Sequence, residues 1–337
     1  LHGWMGDKTE WDDVESSLIQ SLSDEWSIIS VDLPGHGSSK LRGSSRVISI
    51  REALRLVDKN GFHSSKGLSL DDIALAVCRT LKFHGVERID ALAGYSLGGR
   101  VGLMMKRLSL IRSDGDNTDV ANIINDETKM ILVSAYPGEM MNSPFQSGDD
   151  GMHKNFERFL LDERRAREIE NLSNRGSLRS AYTEETALIW SKFLSCWYEA
   201  PMWGLLRVQN TAYCDMIKRR IDTLSTRGHD IAAVLRQCSP SRCSSEDWRG
   251  VNAEKVLYIA GELDRKYCAS GRAWSAAEPS LNFIELPGKG HALLVEAAEH
   301  IAEAMATFLL KSQNEALPLR QNNTKIWEAN FVLDRRE

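Results

Sequence analysis

No apolar run in this chain of 337 residues approaches the ~18 residues of a membrane-spanning helix, so no membrane span is expected. Basic residues are not in excess. The 42 lysines and arginines face 47 acidic residues, for a net charge of −5, and the basic face that marks a nucleic-acid partner is missing. The six cysteines, Cys78, Cys196, Cys214, Cys238, Cys243 and Cys268, include no Cys-x-x-Cys, and the Cys238/Cys243 spacing matches no common metal knuckle. Free thiols in a reducing compartment are expected, not a disulfide framework or a metal site. Two glycosylation sequons, at Asn171 and Asn322, have no secretion signal beside them and read as chance. An initiator Met and a targeting segment are also missing before His2-Gly3. Leu1 reads as the end of a buried strand, so the chain is expected to be a fragment of a longer protein whose address is not written in it.

What is present is enough apolar residue, 42%, to fill a core of ordinary size. The length permits two domains, but α/β folds often run this long as one. Short runs rich in Val, Ile and Leu predict buried parallel strands over Ser27–Leu33, Ile89–Gly94, Met130–Ser134, Val256–Gly261 and Asn282–Leu286. Helical spacing alternates with them over Trp11–Leu22, Leu70–His84, Gly99–Leu110 and Leu293–Leu310. Ser69 reads as the N-cap of the second of these, with Asp71 and Asp72 at its positive end. Alternation of this kind predicts an α/β protein, a mostly parallel sheet with helices on both faces. Residues 139–249 break the pattern with Arg, Glu, Leu and Trp at helical spacing, and read as a helical cap inserted into a core of 1–138 and 250–310. Lys40–Gly67 and Ser113–Thr128 read as polar surface insertions. The tail, 311–337, is polar apart from Ile326–Leu333, and reads either as disordered or as packed on the body.

The chemistry is concentrated in a few motifs. Gly94-Tyr95-Ser96-Leu97-Gly98 fits G-x-S-x-G, a weak signal alone. Here it sits between a strand and a helix, where glycines allow a strained turn that lifts the serine clear of the sheet. The Leu97 N–H then lies at a helix N-terminus, placed to hold an oxyanion. Trp4, after His2-Gly3, offers the second N–H. Asp264 follows the strand Val256–Gly261, and His291 follows Asn282–Leu286. Any one of these alone reads as a turn residue. The ordered set Ser96, Asp264, His291 matches the catalytic triad of the α/β-hydrolase fold, whose strands preceding Leu1 are then missing. Asp32-Leu33-Pro34-Gly35-His36-Gly37 reads as a tight structural loop, with no catalytic part for His36.

Within that fold the chain resembles the MenH-type enzymes, 2-succinyl-6-hydroxy-2,4-cyclohexadiene-1-carboxylate synthases of menaquinone and phylloquinone synthesis. The matching segments are Gly94-Tyr95-Ser96-Leu97-Gly98-Gly99-Arg100, Ser134-Ala135-Tyr136-Pro137-Gly138, Arg158 with Asp162 and Ala166, Trp197-Tyr198-Glu199-Ala200-Pro201, and Gly261-Glu262-Leu263-Asp264-Arg265-Lys266-Tyr267. The resemblance runs from about His2 to Leu310 apart from the two insertions. It implies substrate contacts from Tyr95, Arg100, Arg158 and Trp197, and from Arg219 or Arg220, where the downstream spacing is longer than the family's. Trp197 fits a cap-core position equally well. The cap exit around Ser241–Trp248 departs from the family pattern. Arg164, Arg165 and Arg167 read as solvated.

The resemblance implies a small-molecule polycarboxylate substrate, which suits arginine forks, and neither metal nor organic cofactor. It implies a lyase in which Ser96 and His291 remove a ring proton and pyruvate leaves. It also implies either a free-standing cytoplasmic enzyme or the MenH-like module of a plastid PHYLLO-type protein, covalently fused to other quinone-synthesis modules. Two rivals stay open: a serine carboxylesterase or carbon–carbon bond hydrolase, and a non-catalytic ligand-binding module on the same fold.

Overall fold

The computed structural model describes residues 1–22, 26–41, 57–58, 61–62, 69–111, 123–138, 149–177, 184–208, 210–242, 250–310, 327–329 and 332–333. Its centre is a parallel sheet of four strands. With β1 given to the separate strand Ile29–Val31, these are β2 (Ala91–Tyr95), β3 (Lys129–Val133), β4 (Val256–Gly261) and β5 (Asn282–Leu286), adjacent in that order. Leu92 pairs with Met130, Leu132 with Tyr258 and Ile259 with Ile284. Leu1 extends the sheet beside β2: its amino group donates to the Ala93 carbonyl, and its carbonyl accepts from the Tyr95 N–H.

The period of two along each strand sorts its side chains onto two faces. Leu92, Met130, Leu132, Val256 and Tyr258 pack against α2 (Leu70–Phe83), α3 (Leu97–Ile111) and α7 (Arg265–Ala277). Ile131, Val133, Leu257 and Ile259 pack against α1 (Asp12–Ser21) and α9 (Ala298–Leu310). Cover on both faces is why these strands read as unbroken apolar runs. Ser69 caps α2 in a capping box: its hydroxyl accepts from the Asp72 N–H at 3.1 Å, and the Asp72 carboxylate accepts from the Ser69 N–H at 2.8 Å. Such caps contribute about 1 kcal/mol.

Between β3 and β4 the described residues hold helices and 3-10 turns with no strand. The helices are α4 (Asp149–Ser177), α5 (Glu184–Trp197) and α6 (Asn210–Gln237), called the cap below. They share a core of their own, with Ala166, Ile169, Trp190, Phe193, Leu194, Leu224 and Ile231 buried together. The expected cap limits at 139 and 249 lie outside the described residues.

Two expectations need correction. The helix expected over Leu293–Leu310 is two, α8 (Leu293–Glu296) and α9, because Ala297 at φ −153°, ψ 36° leaves the helical region. The segment Ser113–Thr128 is not all surface. Ile123 and Ile124 are buried, the Ile123 carbonyl accepts from the Ile89 N–H, and Thr128 donates to the Ile89 carbonyl. Its end is thus a turn anchored in the core, and 113–122 lie outside the described residues. In the tail, Trp327–Ala329 pairs in parallel with β1, and Val332–Leu333 with Lys40–Leu41. Of Lys40–Gly67, apart from Lys40–Leu41, only an antiparallel pair, Val57–Asp58 with Gly61–Phe62, is described. Cys243 and Asn322 also lie outside.

Candidate active site

Ser96, Asp264 and His291 each follow the C-terminal end of a parallel strand, the end where open α/β sheets place their ligand crevice. Ser96 links β2 to α3 at φ 50°, a left-handed conformation rare for a side chain larger than glycine. The sharp turn is possible because Gly98 lies so close to the Leu1 carbonyl that any Cβ would overlap it. Ser96 Oγ is 3.0 Å from His291 Nε2, and His291 Nδ1 is 2.6 Å from Asp264 Oδ2. Asp264 and His291 are almost fully buried. The His291 backbone N–H donates to the Met202 carbonyl at 2.7 Å, tying the histidine loop to the cap. The ring stands among Tyr267, Trp203 and Tyr95, at centroid distances of 4.7, 5.1 and 5.6 Å. Burial pushes the Tyr95 phenol well above its usual pKa, so it meets the imidazole as a neutral ring.

Leu97 is the first residue of α3, a position whose N–H has no partner within its helix. Trp4 lines the same pocket. The segment before it is fixed from several sides. His2 Nε2 accepts from the Leu33 N–H at 2.8 Å, which leaves Nδ1 to donate to the Gly3 carbonyl at 2.8 Å. Burial lowers the His2 pKa and holds the ring neutral, as this pair of bonds requires. His36 packs against it at 5.1 Å and lies off the pocket.

The pocket has a volume of about 180 Å³ and is walled by both core and cap. Four arginines line it: Arg100, Arg158, Arg165 and Arg220. Arg100 lies one helical turn after Ser96 and donates to the Cys238 carbonyl at 2.5 Å. Arg158 Nε donates to Asp162 at 2.8 Å, and Asp162 also accepts from the Ser239 hydroxyl at 2.5 Å. Burial works against the Arg158 charge, but Asp162 and Tyr267 together outweigh it and the pKa is raised. Trp197 serves in both ways its position allows: it lines the pocket, and it packs on the cap core beside Trp203.

Arg219 and Arg220 point apart, since successive residues on a helix turn by about 100°. Arg220 is buried at the pocket, whereas Arg219 is exposed and belongs to the outer face. Arg165, expected in solvent, is a further correction. It lies seven residues, two helical turns, after Arg158, and its guanidinium sits over the Trp197 ring. Arg164 is exposed, as expected. Trp203 in the aromatic wall and the carboxylate of Glu10, which pairs with Arg220, had no local sequence signal beyond their residue types, whereas Tyr267 closes the Gly261–Tyr267 motif without having been assigned to the wall. Among the described residues no cluster of His, Cys, Asp and Glu could hold a metal ion, no cysteine is in a disulfide, and no helix is long and apolar enough to cross a membrane.

A doubly covered parallel sheet, a strained serine turn and a Ser-His-Asp chain at the strand ends define an α/β-hydrolase. Residues 1–304 match the alpha/beta hydrolase family, and the chain belongs to it. Within that family its sequence is similar to 2-succinyl-6-hydroxy-2,4-cyclohexadiene-1-carboxylate synthases. It is 29% identical over 150 residues to that of Serratia proteamaculans, covering 43% of this chain and 48% of the relative. It is 35% identical over 104 residues to that of Escherichia coli O1:K1, covering 31% and 30%. The match thus spans about half or less of the length of these relatives. Among solved structures, MenH from S. aureus superposes with a TM-score of 0.59 at 22% identity, over 93% of each chain. The epoxide hydrolase CorEH superposes with a TM-score of 0.51 at 14% identity, over 92% of this chain and 89% of its own. At these identities the superpositions speak for the fold.

Proposed function

We propose that this chain is a lyase that eliminates pyruvate from 2-succinyl-5-enolpyruvyl-6-hydroxy-3-cyclohexene-1-carboxylate. The product is 2-succinyl-6-hydroxy-2,4-cyclohexadiene-1-carboxylate, an intermediate of menaquinone or phylloquinone synthesis. The observation that carries this reading is the joining of a Ser96–His291–Asp264 chain to a pocket walled by Arg100, Arg158 and Arg165. A tricarboxylate needs cationic forks in a partly dehydrated site, and an apolar ester does not. The similarity to the bacterial synthases supports the same reading.

In this mechanism the Ser96–His291 pair takes a proton from the ring, and Asp264 steadies the imidazolium. In a 1,4-type elimination the C2–H electrons form a C2=C3 double bond, the C3=C4 pair shifts to C4=C5, and the C5–O bond breaks with its pair on the leaving oxygen. The group leaves as the enolate of pyruvate, and the abstracted proton returned to it gives pyruvate. The N–H groups of Trp4 and Leu97 stabilise the negative charge that develops on a carboxyl or carbonyl oxygen. Tyr95, Trp197, Trp203 and Tyr267 hold the ring and keep water from the reacting carbon. The reaction calls for no acyl-enzyme.

The test is pyruvate release from the synthetic substrate by the purified chain. Turnover that depends on Ser96 supports the reading; its absence overturns it. The strained Ser96 turn favours one competing reading, an esterase with Ser96 as nucleophile. Burst kinetics on p-nitrophenyl esters, without pyruvate release, would point there.

A further inference from the structure

Arg220 lines the pocket, yet its charge is already committed elsewhere. Its Nη1 donates to the Trp4 carbonyl at 3.0 Å, and its Nη2 bonds the Glu10 carboxylate. The other oxygen of Glu10 accepts from the Gly3 N–H at 2.9 Å. Both side chains are nearly sealed from solvent, at 5% and 9% exposure. Burial alone would lower the Arg220 pKa, but Glu10 together with Tyr198, Tyr95 and Asp7 outweighs it, and the value is raised. A substrate carboxylate seeking this guanidinium would have to displace a buried partner.

The two residues instead clamp the peptide on which the oxyanion site depends. The Gly3 carbonyl accepts from His2 Nδ1 at 2.8 Å and from the Gly6 N–H at 3.1 Å. A trans peptide unit is planar, with its C=O and N–H opposed. Once the Gly3 carbonyl is held, the Trp4 N–H must point the other way. Glu10 fixes the peptide before this unit through the Gly3 N–H, and Arg220 fixes the one after it through the Trp4 carbonyl. The arrangement leaves no room at Gly6, where any Cβ would overlap the Glu10 carboxylate. The grip comes from the cap. Helix α6 holds Trp4 a second time through the Ile231 carbonyl, which accepts from the indole N–H at 3.1 Å. Residues 220 and 231 are eleven apart, about three turns, and so share one face of the helix.

We infer that Arg220 is a positioning residue, paired with Glu10, through which the cap sets the direction of the Trp4 N–H, and that it is not a ligand of the substrate. This rests on the reading of that N–H as an oxyanion donor. It makes a competent oxyanion site conditional on a docked α6.

The test uses a fluorophosphonate probe on the full chain. Ser96 Oγ bonds phosphorus, fluoride leaves, His291 takes the serine proton, and the phosphoryl oxygen occupies the oxyanion site. Arg220→Met is expected to slow labelling about tenfold or more, in line with the loss of an oxyanion donor, while its melt stays cooperative. Arg220→Lys should regain part of the rate, because an ammonium still reaches the Trp4 carbonyl. With the proposed substrate, Arg220→Met should lower kcat and leave KM nearly unchanged. Wild-type labelling by Arg220→Met together with a raised KM would make Arg220 a substrate ligand and overturn the inference. If Arg220→Met fails to fold, wild-type labelling by both Arg220→Lys and Glu10→Gln overturns it equally. A wild-type chain that does not label also overturns it. Labelling needs no native substrate, so a chain that labels but releases no pyruvate sinks the lyase reading alone.

Discussion

The guanidinium of Arg165 lies over the ring of Trp197, 4.8 Å from its centroid, on the wall of the pocket. The ring face holds the cation in place, while the planar donors remain suited to a carboxylate. Arg165→Met should therefore raise KM for the tricarboxylate about tenfold, the usual cost of one charged hydrogen bond, and leave kcat within about twofold. Arg164→Met, one residue away on the exposed side of α4, should change neither. Steady-state pyruvate release for the two variants decides it; equal KM values would put Arg165 outside the recognition set.

In the proposed elimination, proton transfer converges on Ser96. Ser96→Ala should cut pyruvate release by about a hundredfold or more, the scale of general acid–base contributions. Full turnover in that variant would remove the serine from the mechanism.

The stability of the fold should fall in mild acid. Burial lowers the pKa of both His2 and His36 from 6.5, with His2 adding to the effect on His36. The unfolded chain thus takes up protons that the native state refuses as pH falls below 6.5. The stabilisation is present above that value and is lost progressively below it, by at most about 1.4 kcal/mol per pH unit for each ring. Urea denaturation between about pH 7.5 and about pH 5 should show a shallower loss for His36→Gln than for the parent chain. Parallel profiles would remove His36 from the explanation.

The cap carries a buried ion cluster that should matter more to stability than any exposed pair. Arg236 donates to Glu163 at 3.1 Å and to both oxygens of Glu170, at 2.8 and 3.1 Å. Arg236→Met strands two buried carboxylates, and breaking such a pair costs about 3–5 kcal/mol. Arg207→Met, whose 3.7 Å contact with Glu199 is exposed, should cost under about 1 kcal/mol. Chemical denaturation of the two variants gives the comparison.

Much of the core was legible because local chemistry agrees with tertiary need. Val256–Gly261 and Asn282–Leu286 are strands over the residues that the apolar run delimits. Ser69 and Asp72 announce the start of α2 by themselves. Ile123 and Ile124 were hidden because two apolar residues among Asp and Asn carry no period. The inward turn of Arg165 was hidden because it is one of three clustered arginines, Arg164, Arg165 and Arg167, among which only helical phase distinguishes. The Glu10–Arg220 pair spans 210 residues, and no spacing rule reaches so far. Which of Arg219 and Arg220 faces inward depends on the exact phase of α6, and the unusual spacing after them concealed it.

The hydrogen bond from the His291 N–H to the Met202 carbonyl bears on how such proteins can be recombined. A graft that takes the helical layer from one relative and the sheet from another would separate the histidine from the carbonyl that seats it. The turn Pro201–Trp203 and the loop Gly288–His291 form one structural unit across the seam. A chimaera that keeps both sides of it from the same parent preserves the seat of His291, whatever it exchanges elsewhere.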